Sequence, residues 1–329
     1  MNKWGLPGTI KPMSAKKVLL SGVKPTGRPH IGNYFGAMKQ FVELQDTYES
    51  YVFIADLHAL TSVQNGKELE ENTLGVLLDY MAIGLDPKKV TLFKQSDVPQ
   101  LTELTWIFNC LTTVPYLSRA HAYKDAIANG KEPSVGLFDY PILMAADILM
   151  PDADVVPVGQ DQKQHVEIAR DTAQKFNNAF GETFKLPEEI ILNDVMTVPG
   201  TDGRKMSKSY GNTIPLFGTD EEIEKAVMGI VTDSSSEVPQ NVYAIHSLLR
   251  NKNDLEVIYA ENKGQYKKLK ELLIEDLKTF IKPMRDKRQA LAEDKPAVLE
   301  VLKSGGKVAC ERAEKKMEEV RKKVGLKFY

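Results

Sequence analysis

Residues 22–36 have the composition of a phosphate-binding corner. They follow the apolar run 18–20, and their glycine and proline positions keep them out of regular structure until a helix pattern starts. A helix start presents unpaired backbone N–H groups to an anion, and Gly32 has no Cβ to hold a ligand away from them. His30 and Asn33 add side-chain donors at the same point. The segment predicts an anion site, although an ordinary loop whose Asn33 caps a helix fits this window equally well.

A basic loop at residues 203–209 has a complementary property. Lys205 and Lys208 stand three positions apart among serine and glycine residues, in a longer loop, 199–211, that we expect to be exposed and mobile. Two such cations can close over a triphosphate, neutralise the charge that shifts to the leaving pyrophosphate, and reopen. A helix start that can bind phosphate and a lysine loop that can close over it together predict a site for a nucleoside triphosphate.

A third group of side chains shares one face of a largely apolar predicted helix, residues 135–150. Tyr140, Met144 and Asp147 are spaced by four and then three positions, which places them on the same side of a helix. A carboxylate in such a helix needs a reason, because burying a charge is costly. Either this face binds a ligand, or Met144 fills the core and Asp147 is a structural cap.

The elements that must position these residues alternate between strand and helix. This alternation predicts an α/β fold with a parallel sheet covered on both faces and ligands bound beyond the carboxyl ends of the strands. Everything after residue 219 is predicted to be helical. The predicted strands are 18–20, 51–55, 90–93, 155–158 and 190–192. The predicted helices start near residue 31 and then run over 68–85, 101–111, 135–150, up to 180, 221–230, 242–249, 266–281, 285–303 and 308–324.

Composition limits the class of protein. The chain has 329 residues, which favours two domains or more, and no apolar run is long enough to cross a bilayer. Residues 1–16 lack the apolar core of an export signal. Cys110 and Cys310 are far apart, so the sequence offers no support for a zinc site, an iron–sulfur cluster or a disulfide framework. We therefore expect a soluble cytoplasmic protein without a protein-bound metal.

The charge is unevenly distributed along the chain. The formal net charge is -2, yet residues 264–329 hold 18 Lys and Arg against 11 Asp and Glu. A basic helical region on an acidic body could contact a polyanion such as RNA, although lysine-rich helices are often only solvated surfaces.

Two of these segments resemble signatures of one enzyme family. His30-Ile31-Gly32-Asn33 resembles the HIGH signature, and Lys205-Met206-Ser207-Lys208-Ser209 is a full KMSKS signature, of class I aminoacyl-tRNA synthetases. The resemblance runs from about residue 19 to residue 209. It implies an N-terminal extension over 1–16, a Rossmann-like ATP- and tryptophan-binding domain over 17–200, the KMSKS loop and linker over 201–218, and a helical anticodon-binding domain over 219–329.

The shared face of Tyr140, Met144 and Asp147 on the predicted helix 135–150 indicates a subfamily. Tyrosine enzymes tend to carry Tyr-x-x-x-Gln-x-x-Asp, whereas Met144 at the Gln position, followed by Ala-Ala-Asp147, is similar to bacterial tryptophanyl-tRNA synthetases. The chemistry agrees, because indole offers one N–H donor and no acceptor, which suits a carboxylate, and a methionine suits a flat aromatic ring.

Matching positions are assigned the family's roles. The catalytic residues would be His30, Asn33, Lys205 and Lys208. The ATP-binding residues would be Gly22, Lys24, Gly32, Asn33, Gly159, Asp161, Lys205, Met206, Ser207 and Lys208. The tryptophan-binding residues would be His58, Tyr140, Met144, Asp147, Val156, Val158 and Gln162, with Gln160 as a weaker candidate. We interpret His165 as a core or surface histidine explained by Asp161 four positions before it.

The resemblance implies a tryptophan–tRNA ligase that makes tryptophanyl-adenylate from tryptophan and ATP and then charges tRNA(Trp). Mg²⁺ would arrive with the ATP phosphates, and the enzyme would be a homodimer. Lys24 departs from the family, where glutamine is common, and could contact the substrate carboxylate or the α-phosphate. Three alternatives stay open: a tyrosine enzyme, a paralogue that binds ATP or tryptophan without charging tRNA, and a small-molecule nucleotidyltransferase.

Overall fold

A five-stranded parallel sheet lies at the centre of the protein. The computed structural model describes residues 16–159, 163–191, 198–232 and 237–328. The strands adopt the order β3-β2-β1-β4-β5, and every neighbouring pair is parallel. Their bounds are β1 (Val18–Val23), β2 (Glu49–Ile54), β3 (Val90–Lys94), β4 (Val155–Val158) and β5 (Glu188–Ile191). The predicted parallel α/β sheet is thus confirmed.

Helices connect the strands and extend beyond the sheet. The segments between strands are α1 (Ile31–Asn33), α2 (Lys39–Leu44), α3 (Asp56–Ala59), α4 (Gly66–Ile83), α5 (Gln100–Asn109), α6 (Val114–Leu117), α7 (His121–Ala128), α8 (Val135–Leu149) and α9 (Lys163–Phe180). A π-helical stretch, Tyr34–Met38, joins α1 to α2, and such stretches are frequent beside functional sites. The C-terminal region contains α10 (Asp220–Met228), α11 (Gln240–His246), α12 (Lys252–Glu261), α13 (Tyr266–Glu293) and α14 (Lys295–Lys323).

Apolar side chains cover both faces of the sheet, as a parallel sheet requires. One core cluster joins the sheet to α5, α8, α9 and the C-terminal half of α14, and its buried members include Phe108, Phe176 and Met317. The other cluster joins the sheet to α2, α4, α10 and α13, and includes Tyr80 and Leu277. Of the two long C-terminal helices, α14 packs on β3 of the sheet that carries the predicted site, and α13 packs on α4.

The order of the strands creates the crevice used by this class of fold. β1 pairs with β2 on one side and with β4 on the other, so the chain winds in opposite directions from the β1/β4 junction. Leu19 lies opposite Val155 in this junction. Ligands of open parallel sheets bind beyond the strand ends at such a reversal, which here lies beyond Val23 and Val158.

The prediction of three separate helices over 266–324 is wrong. Helix α13 continues through Pro283, and α14 continues through Gly305 and Gly306. The two glycines allow close packing instead of ending a helix, because a Cβ at Gly305 would lie 1.8 Å from the backbone oxygen of Leu92 in β3. Helix α12 was not predicted. Among the helices that the structure describes, none combines the length and apolar character of a membrane-spanning segment.

Candidate active site

A cavity of about 460 Å³ lies at the carboxyl ends of β1 and β4. Helix α8 provides one wall, and the strand ends provide the other. Residues predicted from the sequence to bind tryptophan or ATP line this one space: Gly22, Lys24, His58, Tyr140, Met144, Asp147, Val156, Val158 and Gly159. Among the other residues predicted to bind tryptophan or ATP, Gly32, Asn33 and residues 205–208 do not line this cavity. Asp161 and Gln162 lie outside the described residues, as does Gln160.

A buried carboxylate, that of Asp147, lies at the inner part of the wall formed by α8. Its side chain is held by His58, whose Nε2 lies 3.0 Å from Oδ2, and by Gln95, whose amide nitrogen lies 2.9 Å from each oxygen. Since a carboxylate only accepts hydrogen bonds, the His58 proton on Nε2 points at Asp147. Burial raises the pKa of Asp147, and the hydrogen bonds from His58 and Gln95 oppose that rise.

Gln95 is a site residue that no sequence motif identified. It is fully buried in a short 3₁₀ turn directly after β3, and its Oε1 accepts a hydrogen bond of 3.1 Å from the backbone N–H of His58. One amide therefore orients both Asp147 and the helix α3 that carries His58. The only sequence signal was a polar residue immediately after an apolar strand, which is common in parallel sheets.

The opposite part of the same wall is polar. Tyr140 has its hydroxyl 2.8 Å from Nε2 of His165, and the two rings are 5.4 Å apart at their centroids. His165 is buried in α9 and lines the cavity. The interpretation of this histidine through Asp161 alone therefore missed its main neighbour in the described structure. Met144, between Tyr140 and Asp147 on the helix, supplies the apolar part of the wall.

Lys24 follows β1 and reaches the same cavity. Its Nζ donates to Oγ1 of Thr61 over 3.2 Å, and partial burial lowers the pKa of the amine. Gly22, two residues earlier, is fixed by packing, because a Cβ there would come within 2.6 Å of the Phe53 ring. From the sequence, Gly22 was expected to let ATP approach the backbone closely. The structure shows a second reason for a glycine here, because the Phe53 ring of β2 leaves no room for a Cβ.

The start of α1 forms a tight cap around His30. Its Nδ1 accepts a hydrogen bond of 3.3 Å from the backbone N–H of Asn33, and the Asn33 Oδ1 accepts one of 3.0 Å from the backbone N–H of His30. This reciprocal arrangement is a capping box. The expectation that both side chains simply aim their donors at a ligand is therefore incomplete, because each first caps the helix.

The cap also fixes the proton of His30. Burial, and then the nearby Lys208 charge, lower its pKa to about 4, so the ring is neutral near pH 7. Because Nδ1 is the acceptor for Asn33, the single ring proton of the neutral form lies on Nε2. His30 thus keeps one N–H donor that is not used in the cap.

The lysine loop lies against this helix start. Lys208 Nζ donates to the backbone oxygens of Thr26 and Gly27, both over 3.0 Å, and Lys205 is exposed. The prediction of an exposed loop fails at Met206, which is buried beside Gly32. A Cβ on Gly32 would lie 2.9 Å from His30 Nδ1 and 3.3 Å from the Met206 Cβ.

Asn212 is a second residue that the sequence did not reveal. It is buried, and its side chain accepts a 2.8 Å hydrogen bond from the backbone N–H of Ser207 and donates over 3.2 Å to the backbone oxygen of Lys205. It also donates to Asp202 over 2.7 Å. A single amide thus determines the shape of the loop on both sides of Met206.

Two neighbouring loci result from this arrangement. The aromatic-lined cavity contains the residues predicted for tryptophan, while His30, Asn33 and the loop 205–208 meet at the adjacent helix start. Within the described residues, no group of three or more His, Cys, Asp or Glu side chains is arranged to hold a metal ion.

Sequence and structure comparisons with known proteins identify relatives of this chain. The family model of tRNA synthetases class I (W and Y) matches residues 13–294. A tryptophan–tRNA ligase from Fusobacterium nucleatum is 49% identical over 316 residues, covering 93% of this chain and 97% of its own. One from Rhodopirellula baltica is 45% identical, covering 94% of this chain and 99% of its own. The crystal structure of tryptophanyl-tRNA synthetase from Campylobacter jejuni, complexed with ADP and tryptophan, superposes with a TM-score of 0.89 at 42% identity, covering 94% of this chain and 100% of that chain.

Proposed function

The chain belongs to the class I tRNA synthetases of the tryptophan and tyrosine group, and we propose that it is a tryptophan–tRNA ligase. It joins tryptophan to ATP to form tryptophanyl-adenylate and pyrophosphate, and then transfers tryptophan to tRNA(Trp). The observation that carries the choice of tryptophan is the buried Asp147 carboxylate facing an otherwise apolar part of the cavity.

Indole recognition follows from hydrogen-bonding capacity. Asp147 already accepts from His58 and Gln95, and its two oxygens have four lone-pair directions in all. The indole N–H can use a remaining direction, while Met144 lies beside the ring. A ligand hydroxyl could also donate here, so the apolar lining by Met144, Val156 and Val158 is needed to favour the larger bicyclic ring.

The amino acid head group belongs at the polar side of the cavity. Tyr140 and His165 present a hydroxyl and an imidazole there, and Lys24 brings a cation from the end of β1. We assign the ammonium group to Tyr140 and to Gln162, whose role remains a prediction. Lys24 would hold the carboxylate near the nucleotide, where a cation stabilises both groups.

ATP would lie across the helix start and the lysine loop. The Nε2–H of His30, which the cap does not use, and the positive end of the helix dipole would attract phosphate oxygens, while the backbone N–H groups of His30, Ile31 and Asn33 are already bonded within the protein. Lys205 and Lys208 would leave their present positions and neutralise the departing pyrophosphate, while Asn33 preserves the cap. Mg²⁺ bound to the ATP phosphates would supply further neutralisation of charge.

The chain's own contribution to the chemistry is positional. The tryptophan carboxylate attacks the α-phosphorus in line, so no side chain has to become covalently attached. In this proposal the substrate carboxylate lies at the end of the cavity lined by Gly22 and Lys24, which lead directly into the segment ending at His30. A short connection from β1 to α1 therefore joins the amino acid site to the nucleotide site.

Tryptophan-dependent exchange of radioactive pyrophosphate into ATP tests this function. We expect exchange with tryptophan and at most a trace with tyrosine at equal concentration. Exchange driven by tyrosine alone would overturn the assignment of the cavity. Exchange with tryptophan but no charging of tRNA would favour the non-charging paralogue.

The partners follow from the same proposal. The helical region after residue 219, whose part 264–329 is basic, would receive the anticodon arm of tRNA(Trp). The enzyme would act in the cytoplasm, where tRNA is charged. We also propose a homodimer. Trp106 on α5 is 70% exposed and Val114 on α6 is 67% exposed, which is unusual for large apolar side chains that lie close in sequence. Light scattering should give twice the chain mass, and Trp106→Glu should shift the population towards the monomer.

A further inference from the structure

Asp79 is a buried charge that the proposed reaction does not use. It lies on the α4 face towards α13, with a side chain only 5% exposed, and its Oδ1 accepts a hydrogen bond of 2.5 Å from Nε of Arg288. Arg288 belongs to α13, 209 positions further along the chain. The pair therefore joins the crossover between β2 and β3 to the C-terminal helical region.

Arg288 also contacts the segment that follows the lysine loop. Its guanidinium lies 5.3 Å from the centre of the Phe217 ring. From the other side, Arg28 donates to the backbone oxygen of Phe217 over 3.4 Å and forms two hydrogen bonds of 3.0 Å with Glu222. Phe217 is thus held at its ring by α13 and at its carbonyl by the loop that precedes His30.

The segment 214–217 is bonded directly to the helix-start loop. The backbone N–H of Ile31 donates to the oxygen of Ile214 over 3.0 Å, and the N–H of Leu216 donates to the oxygen of Pro29 over 3.0 Å. A displacement of the segment would therefore move the backbone on both sides of His30. Because the segment follows Asn212, it would also move the lysine loop.

The electrostatic environment of Asp79 includes the same loops. Burial raises its pKa to about 6, while the charges of Arg288, Lys208 and Arg28 act in the opposite direction. Burial lowers the pKa of Lys208, and the Asp79 charge opposes that shift. Asp79 is thus a counter-charge shared by α13, the lysine loop and the loop before α1.

We propose that Asp79 and Arg288 are positioning residues for the ATP-dependent step. They hold Phe217, and through the segment 214–217 they set the places of His30 and Lys208 relative to one another. They also make that geometry depend on the position of α13. This inference rests on the proposed function, because it concerns how ATP is held during tryptophan activation.

A purely structural ion pair would have a different signature. Removing one member of a buried pair is destabilising because a charge is left uncompensated, whereas replacing both by apolar residues of similar size is often neutral or stabilising. The test therefore compares Asp79→Asn and Arg288→Met with the double variant Asp79→Leu/Arg288→Met. We expect the double variant to recover folding stability but not the contact of the guanidinium with the Phe217 ring.

The readouts are the urea midpoint and the kinetics of pyrophosphate exchange with varied ATP and varied tryptophan. We expect the double variant to unfold near the wild-type midpoint and to keep the wild-type KM for tryptophan. Its kcat/KM for ATP should fall about tenfold, since small misplacements of reacting groups cost one to two orders of magnitude. The matched control, Glu103→Leu/Arg321→Met, removes an ion pair between α5 and α14 that contacts neither loop, and should leave the ATP kinetics unchanged.

Two outcomes separate failure of the inference from failure of the function. Wild-type ATP kinetics in a stable double variant would show that Asp79 and Arg288 only support the fold, and would overturn the inference while leaving tryptophan activation intact. Wild-type protein that shows no tryptophan-dependent exchange would instead overturn the proposed function on which the inference rests.

Discussion

Replacing Asp147 by asparagine should remove the preference of the cavity for an N–H donor. The substitution keeps the shape of the side chain but loses the negative charge and turns one acceptor into a donor. His58 and Gln95 both donate to Asp147, at 3.0 Å and 2.9 Å. An asparagine amide can accept from them with its single oxygen only, so no acceptor is left for indole.

The size of the effect follows from those contacts. A hydrogen bond to a charged partner contributes about 1.5–3 kcal/mol. Since 1.36 kcal/mol corresponds to a factor of ten, the loss should raise the KM for tryptophan by about 10-fold to 150-fold. The KM for ATP should stay within about twofold, because Asp147 does not approach His30 or Lys208 through any described contact.

A substrate analogue isolates the contact from general damage to the cavity. In 3-benzothienylalanine a sulfur atom replaces the indole N–H with little change in shape. Wild-type enzyme should use tryptophan better than this analogue by a factor in the same range, whereas Asp147→Asn should treat the two almost alike. If the variant kept the wild-type preference for tryptophan in pyrophosphate exchange, Asp147 could not be the indole acceptor.

Further predictions concern the packing and the nucleotide loops. Gly305→Ala should lower the free energy of unfolding in urea by about 1–3 kcal/mol, because the added Cβ clashes with Leu92. Gly66→Ala is the control and should not lower it, because a Cβ there meets no atom within 4 Å. Equal urea midpoints for the two variants would contradict this packing. The pKa of His30 is lowered to about 4, so the stabilisation that its neutral ring provides is present above pH 6.5 and is lost as pH falls towards 4. His30→Asn, which keeps a cap, should flatten that part of the stability profile measured in urea at several pH values. An unchanged slope would argue against a buried neutral ring. Asn212→Ala should reduce kcat/KM for ATP about tenfold while the KM for tryptophan stays constant, and equal losses for both substrates would point to general unfolding instead.

The sheet was largely predictable because its strands are short continuous apolar runs. β4 has the bounds expected from the sequence, and β3 differs by one residue. Strands buried on both faces carry few polar side chains, so their sequence signal is strong. Helical spacing located the face of Tyr140, Met144 and Asp147, which the structure places along one cavity.

Elsewhere, long-range packing decided the outcome. Gly305 and Pro283 suggested helix ends, yet α13 and α14 continue through them because packing against the sheet and neighbouring helices outweighs local propensity. Gln95 and Asn212 gave no local signal, since each acts by joining segments that are distant or irregular. Asp79 and Arg288 are 209 positions apart, and no periodicity in a single sequence relates them.

Charging of a tRNA(Trp) transcript with radioactive tryptophan is the measurement that bears most directly on the function. With ATP and Mg²⁺ present, the wild-type enzyme should bring the transcript close to full acceptance of tryptophan, while a tRNA(Tyr) transcript offered with tyrosine should stay uncharged. Charging of tRNA(Tyr) with tyrosine, or tryptophan-dependent pyrophosphate exchange without any charged tRNA(Trp), would contradict the assignment of this chain as a tryptophan–tRNA ligase.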